Sequence, residues 1–196
     1  IVKEYIRSAD KDFISFHKPI TDIISIERYA KYGKDKELSF RNLRVEAWVP
    51  VDDQDMALFI AYTRMRAPLS DYQCEIRCEL IPNPPLNGHI NFIAAHGEKS
   101  GEGFKAVHTK EGEDGHAIIN GPGTEYVFGK GMIAVVFICN SGFQSKKIYS
   151  QALKSFVNQL IGLGYESVIA PAWKYNPEMC GIWTETFLNA LKSGVK

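Results

Sequence analysis

Two short apolar runs constrain this chain more than anything else in it. One is Asn91-Phe92-Ile93-Ala94-Ala95, leading into His96-Gly97. The other is Ile133-Ala134-Val135-Val136-Phe137-Ile138, leading into Cys139-Asn140-Ser141-Gly142. Runs of this length, bounded by glycine, suit strands buried on both faces of a parallel sheet. Ligands of such sheets bind outside the carboxyl ends of the strands. Each run therefore delivers one reactive side chain, an imidazole or a thiol, to the edge where ligands bind. His96 and Cys139 stand 43 residues apart. That is room for one excursion and one return strand, so adjacent strands are expected.

The rest of the chain fits the same class. Leu43 to Val51 reads as a strand. Asp52 and Asp53 offer an N-cap for a helix from about Gln54 to Arg66, with Pro68 marking its end. Tyr72 to Ile81 alternates in part and reads as a further strand. Thr21 to Lys34 has the spacing of a short helix. Tyr149 to Leu163 is the clearest helix, with Ala152, Leu153, Phe156, Val157, Leu160 and Ile161 at helical spacing. Glu166 to Ala172 reads as a third buried strand. Pro177 to Lys192 reads as a last helix with Met179, Ile182, Trp183, Phe187, Ala190 and Leu191 inward. Strands alternating with helices at this spacing imply parallel pairing. Between the key strands, Glu98 to Gly131 is charged, rich in glycine and without helical period. Lys105 to Thr109 and Ala117 to Ile119 suit short strands within it. A long irregular segment between core strands is often functional, and this one reads as a regulated loop near the cleft.

Composition removes several alternatives. The 196 residues suit one domain, and 45% hydrophobic residues supply a substantial core. Twenty-three basic and 23 acidic side chains cancel, which leaves no electrostatic footprint for direct nucleic-acid binding. No apolar run approaches a membrane span of about 18 residues. Four scattered cysteines, Cys74, Cys78, Cys139 and Cys180, do not make a disulfide framework, so a reducing cytoplasm is expected. Beginning at isoleucine, the chain reads as part of something longer. Cys74 and Cys78 have a loose zinc-ligand spacing, but no second close pair exists. Gly121 to Gly131 lacks the glycine and hydroxyl positions of a phosphate-binding loop.

A thiol attacks as thiolate, and a neighbouring imidazole can take its proton. The small residues beyond each side chain leave space for a substrate backbone. Backbone N–H groups at strand ends can hold the oxyanion of an acyl-transfer intermediate. The residues alone are equally compatible with a buried structural cysteine and an unrelated histidine, since free cysteine is among the most buried residue types. His89 is the weaker substitute for His96, because it begins its strand rather than ending it.

The two blocks resemble those of caspase-fold cysteine peptidases: an apolar strand ending in His-Gly, then an apolar strand ending in Cys. The stretch after Cys139 narrows the resemblance. A helix leads to Glu166-Ser167-Val168-Ile169-Ala170-Pro171-Ala172-Trp173, and a final helix ends in Phe187-Leu188-Asn189-Ala190-Leu191. Over about residues 86 to 196 the chain resembles the CHAT domain, a separase-related branch of that fold often found after tetratricopeptide repeats. The resemblance implies a three-layer caspase-like α/β sandwich with a mainly parallel central sheet over residues 41–196. Residues 1–40 would then be an N-terminal segment linking it to a preceding repeat domain. It implies His96 as general base and Cys139 as nucleophile, with the N–H groups of Gly97 and Cys139 as the oxyanion hole. No cofactor or metal is implied.

Two positions depart from related patterns. Phe137 stands where arginine- and lysine-specific metacaspases have an acidic residue, which favours an uncharged P1 side chain. Asn140 stands where many CHAT domains are acidic. Phe137, Asn140 and Trp173 are the expected substrate-pocket residues. One branch of the family consists of tetratricopeptide–CHAT proteases that partner RNA-guided CRISPR effectors. The His–Cys interval and the long insert are compatible with it. The expected function is thus a cysteine endopeptidase acting on a protein substrate under control of a protein or ribonucleoprotein partner. The rival from a different class is a caspase-fold interaction module without turnover.

Overall fold

The computed structural model describes residues 43–52, 54–97, 104–105, 118–119, 128–139, 141, 156–171 and 174–193. All of them lie in one compact unit, Glu37–Lys196. The segment 1–40, with the helix expected over Thr21 to Lys34, lies outside the described residues, as does 142–155, the first half of the helix expected from Tyr149.

Parallel strands buried on both faces need continuous apolar runs, and the two key runs supply the middle of the sheet. Strands β1 (Val45–Trp48), β2 (Ile76–Arg77), β3 (Ile90–Gly97), β6 (Ile133–Ile138) and β7 (Ser167–Ile169) form a parallel sheet in the order β2-β1-β3-β6-β7. Two short strands, β4 (Phe104–Lys105) and β5 (Ile118–Ile119), are antiparallel. The pairing of β1 with β3 ends at Ile93, and β4 takes up His96 and Gly97 beyond it. The α/β class with a mainly parallel central sheet is therefore as expected.

Alternation along the strands divides the core in two. Val45, Ala47, Phe92, Ala94, Val135 and Phe137 face helices α1 (Met56–Ser70) and α3 (Met179–Lys192), which contribute Leu58, Ala61, Met65, Leu69, Cys180 and Leu188. Trp48, Ile93, Ala95, Ala134, Val136 and Ile138 face the other way, toward Phe156 and Leu160 of α2 (Phe156–Leu163).

Three expectations are corrected. Helix α1 starts two residues later than expected and is capped by Asp55, whose Oδ1 accepts from Leu58 N–H at 3.1 Å. Pro68 does not end α1. It falls in the last turn, where the donor it lacks would have served only the Arg64 carbonyl. The backbone of α3 comes close to that carbonyl at Gly181, where a Cβ would stand 2.5 Å from Arg64 O. This contact turns α3. Its inward side is Cys180, Thr184 and Leu188, with Phe187 and Leu191 packed against the core as expected, while Met179, Ile182 and Trp183 are exposed. Finally, among the described residues β7 is an edge strand with Ser167 and Ile169 exposed, not a buried one.

One buried polar group interrupts the apolar run of β3. Asn91 is fully buried, and its Oδ1 accepts from Gly88 N–H at 3.0 Å. Its Nδ2 donates to Tyr165 Oη at 2.7 Å, and that hydroxyl donates to the Phe128 carbonyl at 2.7 Å. Burial pushes the Tyr165 phenol up, so it stays a donor. This network ties β3 to the segments that lead into β6 and β7. Tyr165→Phe strips Asn91 and Phe128 of that partner, and is expected to cost about 1–3 kcal/mol in urea unfolding.

Candidate active site

Because β1, β3 and β6 are parallel, their carboxyl ends share one edge of the sheet. The register of β3 with β6 runs from Ile90↔Ile133 to Ala95↔Ile138. That register ends one residue short of His96 and Cys139, so the two side chains follow the last paired positions of adjacent strands. Both residues continue the alternation of Phe92, Ala94, Val135 and Phe137, so both belong to the side of the sheet that carries α1 and α3. The Cys139 thiol is half-buried, and the His96 side chain is 25% exposed.

Gly97 has a specific reason to be glycine. A Cβ there would stand 1.8 Å from Cys139 O, 2.7 Å from its carbonyl carbon and 3.0 Å from its Cα. The backbones of the two strand ends thus come close at Gly97 and Cys139. After Cys139 the chain turns at once, with Ser141 N–H donating to Ile138 O at 3.1 Å.

The third group at this edge comes from the connection after β1. Asp55 Oδ2 lies 2.6 Å from His96 Nε2, and the Asp55 side chain is only 3% exposed. The same carboxylate therefore caps α1 with one oxygen and meets the imidazole with the other. Sequence reasoning took Asp52 and Asp53 as the cap and missed Asp55. The usable signal was the helical series Leu58, Ala61, Met65 and Leu69, which places the cap three residues before Leu58.

Beneath Cys139 the site is packed. Phe137 is 6% exposed. Its ring stacks near Phe92 at 6.5 Å between centroids and lies 6.1 Å from the tilted ring of Tyr175. The Tyr175 hydroxyl donates to the Phe137 carbonyl. Phe137 is thus a core residue under the site; Asn140 and Trp173, the other expected pocket residues, lie outside the described residues. His89 sits at the opposite end of β3, where its Nδ1 accepts from Arg44 N–H at 3.0 Å.

No family model matches the chain, and no curated protein matches it either. The site must therefore be read from its own chemistry. Burial pushes the thiols of Cys74, Cys78 and Cys180 away from ionisation. Burial, then Glu46, raises Cys74 to about 12. Burial, then Glu79 and Glu75, raises Cys78. Burial, with a smaller contribution from Cys139, raises Cys180 to about 12 against an opposing Tyr175 hydrogen bond. Cys139 is the thiol that follows the strand next to the one carrying His96. Thiol and imidazole from two adjacent strand ends, and a carboxylate from the helix cap after β1, are the ingredients of nucleophilic catalysis. Among the described residues, no cluster of side chains suited to a metal ion is present, and no helix is long and apolar enough to cross a membrane.

Proposed function

We propose that this chain is a CHAT-type cysteine endopeptidase domain. The observation that carries the reading is the register of β3 and β6, which ends at Ala95↔Ile138, the pair just before His96 and Cys139 at the carboxyl edge of the sheet. His96 takes the thiol proton, and the Cys139 sulfur attacks the substrate peptide carbonyl. Charge builds on the carbonyl oxygen, where the N–H groups of Gly97 and Cys139 would receive it. As the tetrahedral intermediate collapses, the C–N bond breaks and His96 returns the proton to the departing amine. Water, deprotonated by His96, then releases the acyl group and restores the thiol. The substrate is a protein, and control lies with a protein or ribonucleoprotein partner, as in the tetratricopeptide–CHAT proteases that work with RNA-guided effectors.

The rival, an interaction module that does not cleave, draws on exposed apolar side chains of the two packed helices. Ile182 and Trp183 of α3 are 56% and 54% exposed, and Phe59 of α1 is 50% exposed. Such residues suit a contact with a partner in either reading. Reactivity separates the two. A thiol without a base is only a few per cent ionised at neutral pH. Iodoacetamide is therefore expected to label Cys139 first, and His96→Ala to slow that labelling about tenfold or more, as read by mass spectrometry of the intact protein and its peptides. Equal rates in the two proteins, or first labelling at Cys78, would favour the module.

A further inference from the structure

We propose that Asp55 is a positioning residue of this site, the group that sets which nitrogen of His96 is basic. The inference rests on the peptidase reading for its use, but its physical content is independent of turnover.

The geometry leaves little latitude. Asp55 Oδ1 is committed to Leu58 N–H at 3.1 Å, the cap of α1. The carboxylate plane is thereby held at a helix end, and Oδ2 faces His96 Nε2 at 2.6 Å. A carboxylate only accepts hydrogen bonds. For the neutral imidazole this contact requires the proton on Nε2, which leaves Nδ1 with the lone pair. On the peptidase reading, Nδ1 is then the nitrogen that would accept the Cys139 proton. The Asp55 side chain is 3% exposed, so water competes poorly for Oδ2. The helix cap thus doubles as the tautomer clamp of the base. A dyad of histidine and cysteine alone would leave the tautomer to chance, and the wrong one presents N–H rather than a lone pair to the thiol.

Asn and Ser cap helices about as well as Asp, which permits a clean test. In Asp55→Asn, Leu58 N–H still needs an acceptor, so the amide oxygen stays at the cap. The amide NH₂ then faces Nε2, and the proton moves to Nδ1. Asp55→Ser keeps the cap but removes the group that reaches the ring, and so provides a second variant should the first fold poorly.

Nitrogen-15 NMR of the imidazole in the full chain reads the tautomer, thermal unfolding reads the fold, and iodoacetamide labelling reads Cys139. The expected result is the Nε2–H form in the unaltered protein and the Nδ1–H form in Asp55→Asn, with labelling slowed about tenfold toward the His96→Ala rate. Asp55→Ser should hold less of the Nε2–H form than the unaltered protein. The same tautomer in all three proteins, or labelling in Asp55→Asn as fast as in the unaltered protein, overturns the assignment. Should Cys139 label no faster than it does in His96→Ala, the peptidase reading falls on its own, and the tautomer comparison still decides for or against Asp55.

Discussion

Gly97→Ala is expected to be among the most damaging single substitutions in this domain. The added Cβ has no flexible side chain to push aside. Its neighbours are the carbonyl oxygen, carbonyl carbon and Cα of Cys139, all within 3.0 Å. Relief requires the end of β3 or the end of β6 to move as backbone. Overpacking of this kind costs about 3 kcal/mol or more. For a domain of this size that corresponds to a fall of roughly 6–12 °C in melting temperature. Any relief also displaces Cys139 from His96, so labelling of Cys139 should fall together with stability. Calorimetry showing an unchanged melting temperature would mean that the two strand ends are not in contact.

The second large effect is expected at Phe92. It is fully buried in β3, stacked near Phe137 and edge-on to Phe187 at 6.0 Å and 84°. Phe92→Ala removes the ring that joins β3, β6 and α3 and leaves a cavity that backbone elements on three sides cannot close. Such truncations cost about 3–5 kcal/mol. Urea unfolding should show the midpoint falling with little change in slope, since the surface exposed on unfolding is nearly the same. A loss below about 1 kcal/mol would show that the face carrying α1 and α3 is not the close-packed one.

The parts of the fold that were legible are those where one physical signal acts alone. Strands β3 and β6 lie at the centre of the sheet, so both of their faces are apolar, and their runs stand out with the ends at His96 and Cys139 visible. Helix α3 was misread because two signals compete along it. The large side chains Met179, Ile182 and Trp183 suggest one inward face, but the small residues Cys180, Gly181 and Thr184 allow close approach to α1, and packing follows the small residues. Strand β7 has the composition of a buried strand and the position of an edge one. Composition does not report position in the sheet. Asp55 was missed for a related reason. Three aspartates stand within four residues, and only the register of α1 decides which of them caps the helix and so meets His96.

Asp55 comes from the cap of α1, His96 from β3 and Cys139 from the end of β6, and they leave the ribosome in that order. Carboxylate and imidazole emerge with the segments around β1 and β3, before the Cys139 thiol. The thiol arrives only with β6, whose place in the sheet is beside β3. A chain whose synthesis stops before Ile133 therefore lacks the Cys139 thiol, and the proposed site is completed only when β6 takes its place beside β3.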